Sequence, residues 1–126
     1  QVLTSRSASV PTLIFDEVDV GIGGGVAEIV GRLLRELGGE RQVLCVTHLP
    51  QVAARAEWQW QVSKATRDGV TLSSIQPLDD ERRVCEIARM LGGVEVTDIT
   101  LAHAGELLHP KGASLGARST PENVQK

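Results

Sequence analysis

Thr12-Leu13-Ile14-Phe15-Asp16-Glu17-Val18-Asp19-Val20-Gly21-Ile22-Gly23-Gly24 is the stretch from which the fold is read. Its first four residues form an unbroken apolar run, the pattern of a strand buried on both faces. The run stops at two adjacent carboxylates, Asp16 and Glu17, and a third follows at Asp19. Glycines then cluster at Gly21, Gly23, Gly24 and Gly25. The spacing predicts a helix next. Val26, Ile29, Val30, Leu33, Leu34 and Leu37 recur at the α-helical period, Arg32, Arg35 and Glu36 lie off that stripe, and Gly38 supplies a stop. A second apolar run, Val43-Leu44-Cys45-Val46, ends in Thr47-His48. Strand, helix and strand at this spacing make a βαβ unit, with parallel strands and a right-handed crossover. The fold class is α/β.

Parallel strands end at the same edge, and in open α/β sheets ligands bind at the carboxyl edge. Asp16, Glu17 and His48 are therefore expected to meet across neighbouring strand ends. Asp19 is expected to cap the following segment or pair locally rather than bind a ligand.

Further along, Pro50 suits the first turn of a short helix, residues 51–56. Trp58, Trp60 and Val62 alternate with polar residues, as do Val70 and Leu72, and Asp68-Gly69 lies between, so a β-hairpin is predicted. Trp58 and Trp60 are expected to share one strand face and pack the sheet, Phe15 being the other aromatic residue of the chain. Asp79-Asp80 opens a helix carrying Val84, Ile87, Ala88 and Leu91, stopped by Gly92-Gly93, with Arg82 and Arg83 on its solvated side. Thr97 caps a last helix through Leu108. Residues 110–126 read as a loose tail.

Composition narrows the function. The chain has 126 residues and a mass of 13.5 kDa, one domain's worth. At 41 % hydrophobic and 23 % charged it is globular rather than disordered. A formal charge of −3 disfavours a sequence-independent DNA clamp working alone, which needs a basic surface. No apolar run is long enough to span a membrane. Residues 1–10 lack a signal-peptide core and read as a lead-in from a longer upstream unit. Cys45 and Cys85 allow one disulfide, but buried free thiols in a reducing compartment are the expectation. A zinc site from Cys45, His48, Cys85 and His103 matches no standard spacing. Nor is the glycine cluster a dinucleotide loop. Val26 stands where the last glycine is needed, and the carboxylates ahead of it repel a pyrophosphate.

An apolar strand ending in Asp-Glu is the Walker B pattern of ATP-binding-cassette NTPases. Thr12 to Gly24 resembles the Walker B and D-loop segment of the RecN family, bacterial SMC-like proteins of double-strand-break repair. Val43-Leu44-Cys45-Val46-Thr47-His48-Leu49-Pro50-Gln51-Val52-Ala53 resembles that family's switch-histidine segment, and Glu86-Ile87-Ala88-Arg89-Met90-Leu91-Gly92-Gly93 its late helix. The resemblance runs from Pro11 to Leu108. It implies a partial P-loop NTPase head binding ATP and Mg²⁺. Asp16 is the implied Mg²⁺ residue, Glu17 the group that polarises water and His48 the γ-phosphate sensor. Val20, Gly21, Ile22, Gly23 and Gly24 are the loop facing a second head in an ATP-sandwiched homodimer. It further implies DNA as a partner of the full-length protein and a bacterial, cytoplasmic, nucleoid-associated location, with no membrane.

Departures from the pattern set the expected domain limits. The Walker A sequence G-x-x-x-x-G-K-[ST] and a Ser-Gly-Gly signature occur nowhere. Residues 11–109 are therefore expected to be the C-terminal part of a head whose N-terminal half, with Walker A, is a partner. Gly23 stands where other SMC-type heads carry an aspartate, which bears on any side-chain role for the D-loop across the dimer. Two rivals remain on the residues alone. One is a metal-dependent hydrolase using Asp16, Glu17, Asp19 and His48 directly, and the other a non-catalytic interaction module with vestigial carboxylates.

Overall fold

The structure is a computed structural model that describes residues 11–111. The expected lead-in, 1–10, and residues 112–126 of the expected tail lie outside the described residues. The elements run β1 (Thr12–Asp16), α1 (Gly24–Gly38), β2 (Gln42–Val46), α2 (Pro50–Ala53), β3 (Trp60–Arg67), β4 (Val70–Pro77), α3 (Asp80–Gly92) and α4 (Asp98–Leu108). β1 and β2 are parallel, with Leu13 beside Val43 and Asp16 beside Val46. The expected parallel pair with a helix between its strands is present.

Alternation along these two strands sorts their faces. Leu13, Phe15, Val43 and Cys45 are half-buried, while Ile14, Leu44 and Val46 are exposed. The apolar stripe of α1 is only partly covered. Val26 and Ile29 are each 50 % exposed and Leu33 59 %, whereas Ala27 and Gly31 are buried. An open apolar groove of about 330 Å³ runs between Phe15, Val18, Val30, Leu33, Leu34 and Leu37.

α1 meets α2 at Gly31. A Cβ there would lie 2.9 Å from Arg55 Cγ, 3.0 Å from the Gln51 carbonyl oxygen and 3.2 Å from Val52 Cα. Two of those neighbours are backbone, so only glycine permits this approach. Beyond α2 lies the best-packed region, where Ala53 and Ala54 join Ile87 and Ala88 of α3 and Ala104 of α4. Val84, Met90, Leu91, Leu101, Leu107 and Leu108 surround them. Small residues at the centre let the helix axes approach closely.

Local chemistry sets the element ends. Asp79 caps α3 by accepting from the Arg82 amide at 2.8 Å, and Gly93, at φ +72°, ends it. Thr97 caps α4 in a reciprocal box with Thr100. Asp68 and Gly69 have φ of +51° and +77°, so both central residues of the β3–β4 turn are left-handed, as a tight hairpin requires.

Four expectations need correction. β1 and β2 are partly covered on one face rather than buried on both, since Ile14, Leu44 and Val46 are exposed. Arg83 is not solvated; it is buried, and its guanidinium donates to the carbonyls of Ala56 at 2.8 Å and Glu57 at 3.3 Å. It thereby clamps the connector into β3 onto α3, because buried carbonyls need a donor. Trp58 precedes β3 rather than sharing its face with Trp60, and the two side chains are 62 % and 64 % exposed. They do not pack the sheet: both β3 and β4 lie largely open to solvent. Cys85 is an exposed thiol rather than a buried one; Cys45 is half-buried, and both cysteines are free.

The helix contact at Gly31 generates a stability test. Gly31→Val should lower the denaturant midpoint by an amount equivalent to about 1–3 kcal/mol, the usual range for overpacking. Gly38→Ala is the control. A Cβ at Gly38 meets nothing within 4 Å, so the midpoint should hold or rise slightly. Equal midpoints for Gly31→Val and the parent chain would contradict the close α1–α2 approach.

Candidate functional site

Because Asp16 lies beside Val46, the residues leaving β1 and β2 emerge side by side. Asp16 and Glu17 are both exposed. Glu17 is left-handed, at φ +57°, which turns the chain sharply as the strand ends. The turn is closed by the Val20 amide donating to the Glu17 carbonyl at 3.3 Å and the Ile22 amide to the Asp19 carbonyl at 3.5 Å. Val20, Gly21, Gly23 and Gly24 follow on the surface, with Ile22 half-buried. Gly21 has φ +76°, a conformation a side chain would strain.

Asp19 is the buried member of the group, at 2 % exposure. Its partners are not local. The Thr47 hydroxyl and the His48 amide, the latter at 3.0 Å, both donate to its Oδ2. His48 Nδ1 lies 3.3 Å from the same oxygen. Thr47 Oγ1 in turn accepts from the Leu49 amide at 3.0 Å. The structure thus joins the β1 and β2 ends through Asp19, and the expectation of local pairing is replaced by a contact across 28 residues. The signal was a carboxylate three residues past one strand end and a hydroxyl at the next. Neither means anything until the strands are paired.

Electrostatics follow the geometry. Burial by itself pushes the Asp19 carboxyl up. The donors Thr47 and the backbone amides of His48 and Asp19, with the nearby His48 charge, outweigh it and hold the group below its ordinary value of 3.8. The Cys45 thiol is pushed above its ordinary 9.0, first by burial and then by the charges of Asp19 and Asp16. It stays protonated at neutral pH.

No group of three or more His, Cys, Asp or Glu side chains that could hold a metal ion occurs among the described residues. The zinc reading and the direct metal-hydrolase reading both require one. Mg²⁺ bound with a nucleotide makes a smaller demand, since it keeps several waters and takes one or two carboxylates plus phosphate oxygens. Exposed Asp16 at a strand end fits that demand.

The depressed Asp19 group has a pH consequence. Its ionised form is favoured by folding, so its stabilisation is complete above pH 3.8 and is lost as pH falls through the lower folded value. Asp19→Asn should be less stable than the parent at neutral pH, and the difference should close on acidification. Denaturant midpoints of both chains against pH check this; a gap that widens toward acid would reverse the sign.

No protein-family model matches the chain. The chain is similar to the DNA repair protein RecN of Vibrio cholerae serotype O1, at 55 % identity over 108 residues, 86 % of this chain and 20 % of that protein. The RecN of Xylella fastidiosa strain 9a5c is 58 % identical over 100 residues, 79 % of this chain and 18 % of that one. The RecN of Bacillus subtilis strain 168 is 46 % identical over 104 residues, 82 % and 18 % respectively. The chain therefore spans about a fifth of the length of the curated relatives it matches. A solved chain from work on ATP-driven dimerization and DNA-stimulated activation of SMC ATPases matches with a TM-score of 0.50 at 25 % identity, over 65 % of this chain and 50 % of that one. The parallel strand pair, hairpin and helices are thus an α/β arrangement shared with an SMC ATPase. At 46–58 % identity over about four fifths of its length, this stretch of chain is similar to a part of the DNA repair protein RecN amounting to about a fifth of that protein.

Proposed function

We propose that this segment is the C-terminal part of an ATP-hydrolysing head in a RecN-type DNA repair protein, contributing the groups that act on the γ-phosphate. The observation that carries this reading is the parallel register ending Asp16-Glu17 and Thr47-His48 at one edge, tied together by Asp19. Asp16 holds Mg²⁺, mostly through water. The ion, when bound, neutralises charge on the β- and γ-phosphates. Glu17 polarises the attacking water and takes up its proton, so a carboxylate at an exposed, sharply turned position suits the role. His48 presents its imidazole to the γ-phosphate. Val20, Gly21, Ile22, Gly23 and Gly24 face the second head of an ATP-sandwiched homodimer.

The partner reading draws support from the uncovered apolar surface. Ile14 and Val46 on one face of the β1–β2 pair are 71 % and 61 % exposed. A parallel pair is ordinarily covered on both faces. The N-terminal half of the head, with its Walker A loop, supplies that cover and the main grip on the phosphates. DNA is engaged by the full-length protein. None of the helices is long and apolar enough to cross a membrane among the described residues; the bacterial cytoplasm, at the nucleoid, is the proposed location.

Two outcomes are expected. This chain alone should bind ATP weakly, because the Walker A backbone and lysine that cradle phosphates are absent from it; a micromolar affinity by calorimetry would contradict the division of labour. In a full-length RecN-family protein carrying this segment, Glu17→Gln should slow hydrolysis about 10²–10⁴-fold while sparing ATP binding. It should then accumulate as an ATP-bound head dimer by light scattering, whereas Asp16→Asn should weaken Mg²⁺-dependent binding and trap no dimer. Parent-rate phosphate release from Glu17→Gln would refute the assignment of Glu17.

A further inference from the structure

We propose that Asp19 is the positioning residue of His48: its buried carboxylate fixes where the imidazole sits and which ring nitrogen carries the proton. The inference rests on the reading of His48 as the group that meets the γ-phosphate.

The His48 side chain is 73 % exposed, so packing does little to restrict its ring. What restrains it is Asp19. Oδ2 of that residue accepts from the His48 amide at 3.0 Å, fixing the backbone from which the ring hangs. The same oxygen sits 3.3 Å from Nδ1. A carboxylate facing Nδ1 favours a proton on that nitrogen and leaves the Nε2 lone pair available to accept from a water or hydroxyl. The Thr47 hydroxyl, itself held by the Leu49 amide, donates to that oxygen as well and fixes the carboxylate's rotamer. At 2 % exposure the carboxylate acts on the ring with little solvent screening. Buried acid, oriented imidazole and exposed second nitrogen form the logic by which an aspartate sets a histidine's tautomer in hydrolytic triads. Asp16 and Glu17 have no such contact with the ring among the described residues, so Asp19 carries this role alone.

The test uses a full-length RecN-family protein carrying this segment. Asp19→Asn keeps the size and an acceptor oxygen but removes the charge. Single-turnover hydrolysis should fall at least about 10–100-fold, the range seen when a group that orients a metal-bound histidine is removed, with ATP affinity unchanged. In a His48→Ala background the same substitution should cost nothing further, because the two residues act as one unit. Parent-rate hydrolysis by Asp19→Asn, with His48→Ala slow, overturns the inference and leaves the function reading intact. Equal losses in both backgrounds also overturn it, by showing a purely structural role. His48→Ala at the parent rate removes both. Should Asp19→Asn fail to fold, ¹⁵N spectra of histidine-labelled, unsubstituted protein decide: a proton on Nδ1 of His48 supports the inference, and a proton on Nε2 overturns it.

Discussion

The parallel register of β1 and β2 is the constraint on which the rest depends. With Asp16 beside Val46, the half-buried set Leu13, Phe15, Val43 and Cys45 lines one face. A slip of one residue would send that set to the other face. It would also draw the two strand ends out of step. The bond set of Asp19 with Thr47 and His48 pins the register from the end of the pair, where no further strand hydrogen bonds are available. A single carboxylate thus serves both the sheet and the site.

α2 is four residues long, yet it connects the two packed regions. On one side Gly31 of α1 lies against Gln51 and Val52. On the other, Ala53 and Ala54 enter the cluster with Ile87, Ala88 and Ala104. The histidine loop runs directly into α2, so the site is braced by the helical core although it lies on the sheet edge. Ion pairs of Arg55 with Glu28 at 3.0 Å and Arg35 with Glu57 at 3.6 Å cross the same region. The Arg35–Glu57 pair is exposed on both sides and adds little beyond direction, whereas Arg55 is half-buried beside Glu28.

Elements written in local chemistry were legible in the sequence. The four-residue apolar runs, the α1 stripe, the Asp68-Gly69 turn and the Asp79 and Thr97 caps all found their places, because each depends on neighbours a few residues away. Side chains whose environment is tertiary were not. Its charge points Arg83 toward solvent, although it lies one turn before Ile87 on the inward side of α3. Its size points Trp60 toward packing, although the hairpin leaves both faces open. At the site, the shared edge of Asp16, Glu17 and His48 followed from strand pairing alone. The partnership of Asp19 with Thr47 and His48 required the distance across the pair, which no spacing encodes.

Glu17 has a consequence of a different kind. A non-glycine residue in the left-handed region costs about 1–3 kcal/mol, and glycine adopts it without steric strain. Replacing Glu17 with glycine would therefore relax the chain just where the proposed water-polarising carboxylate is carried. Stability and turnover then pull in opposite directions at one backbone angle. Any search for hardier variants of this segment, scored by melting temperature alone, will tend to discard the carboxylate at position 17 first.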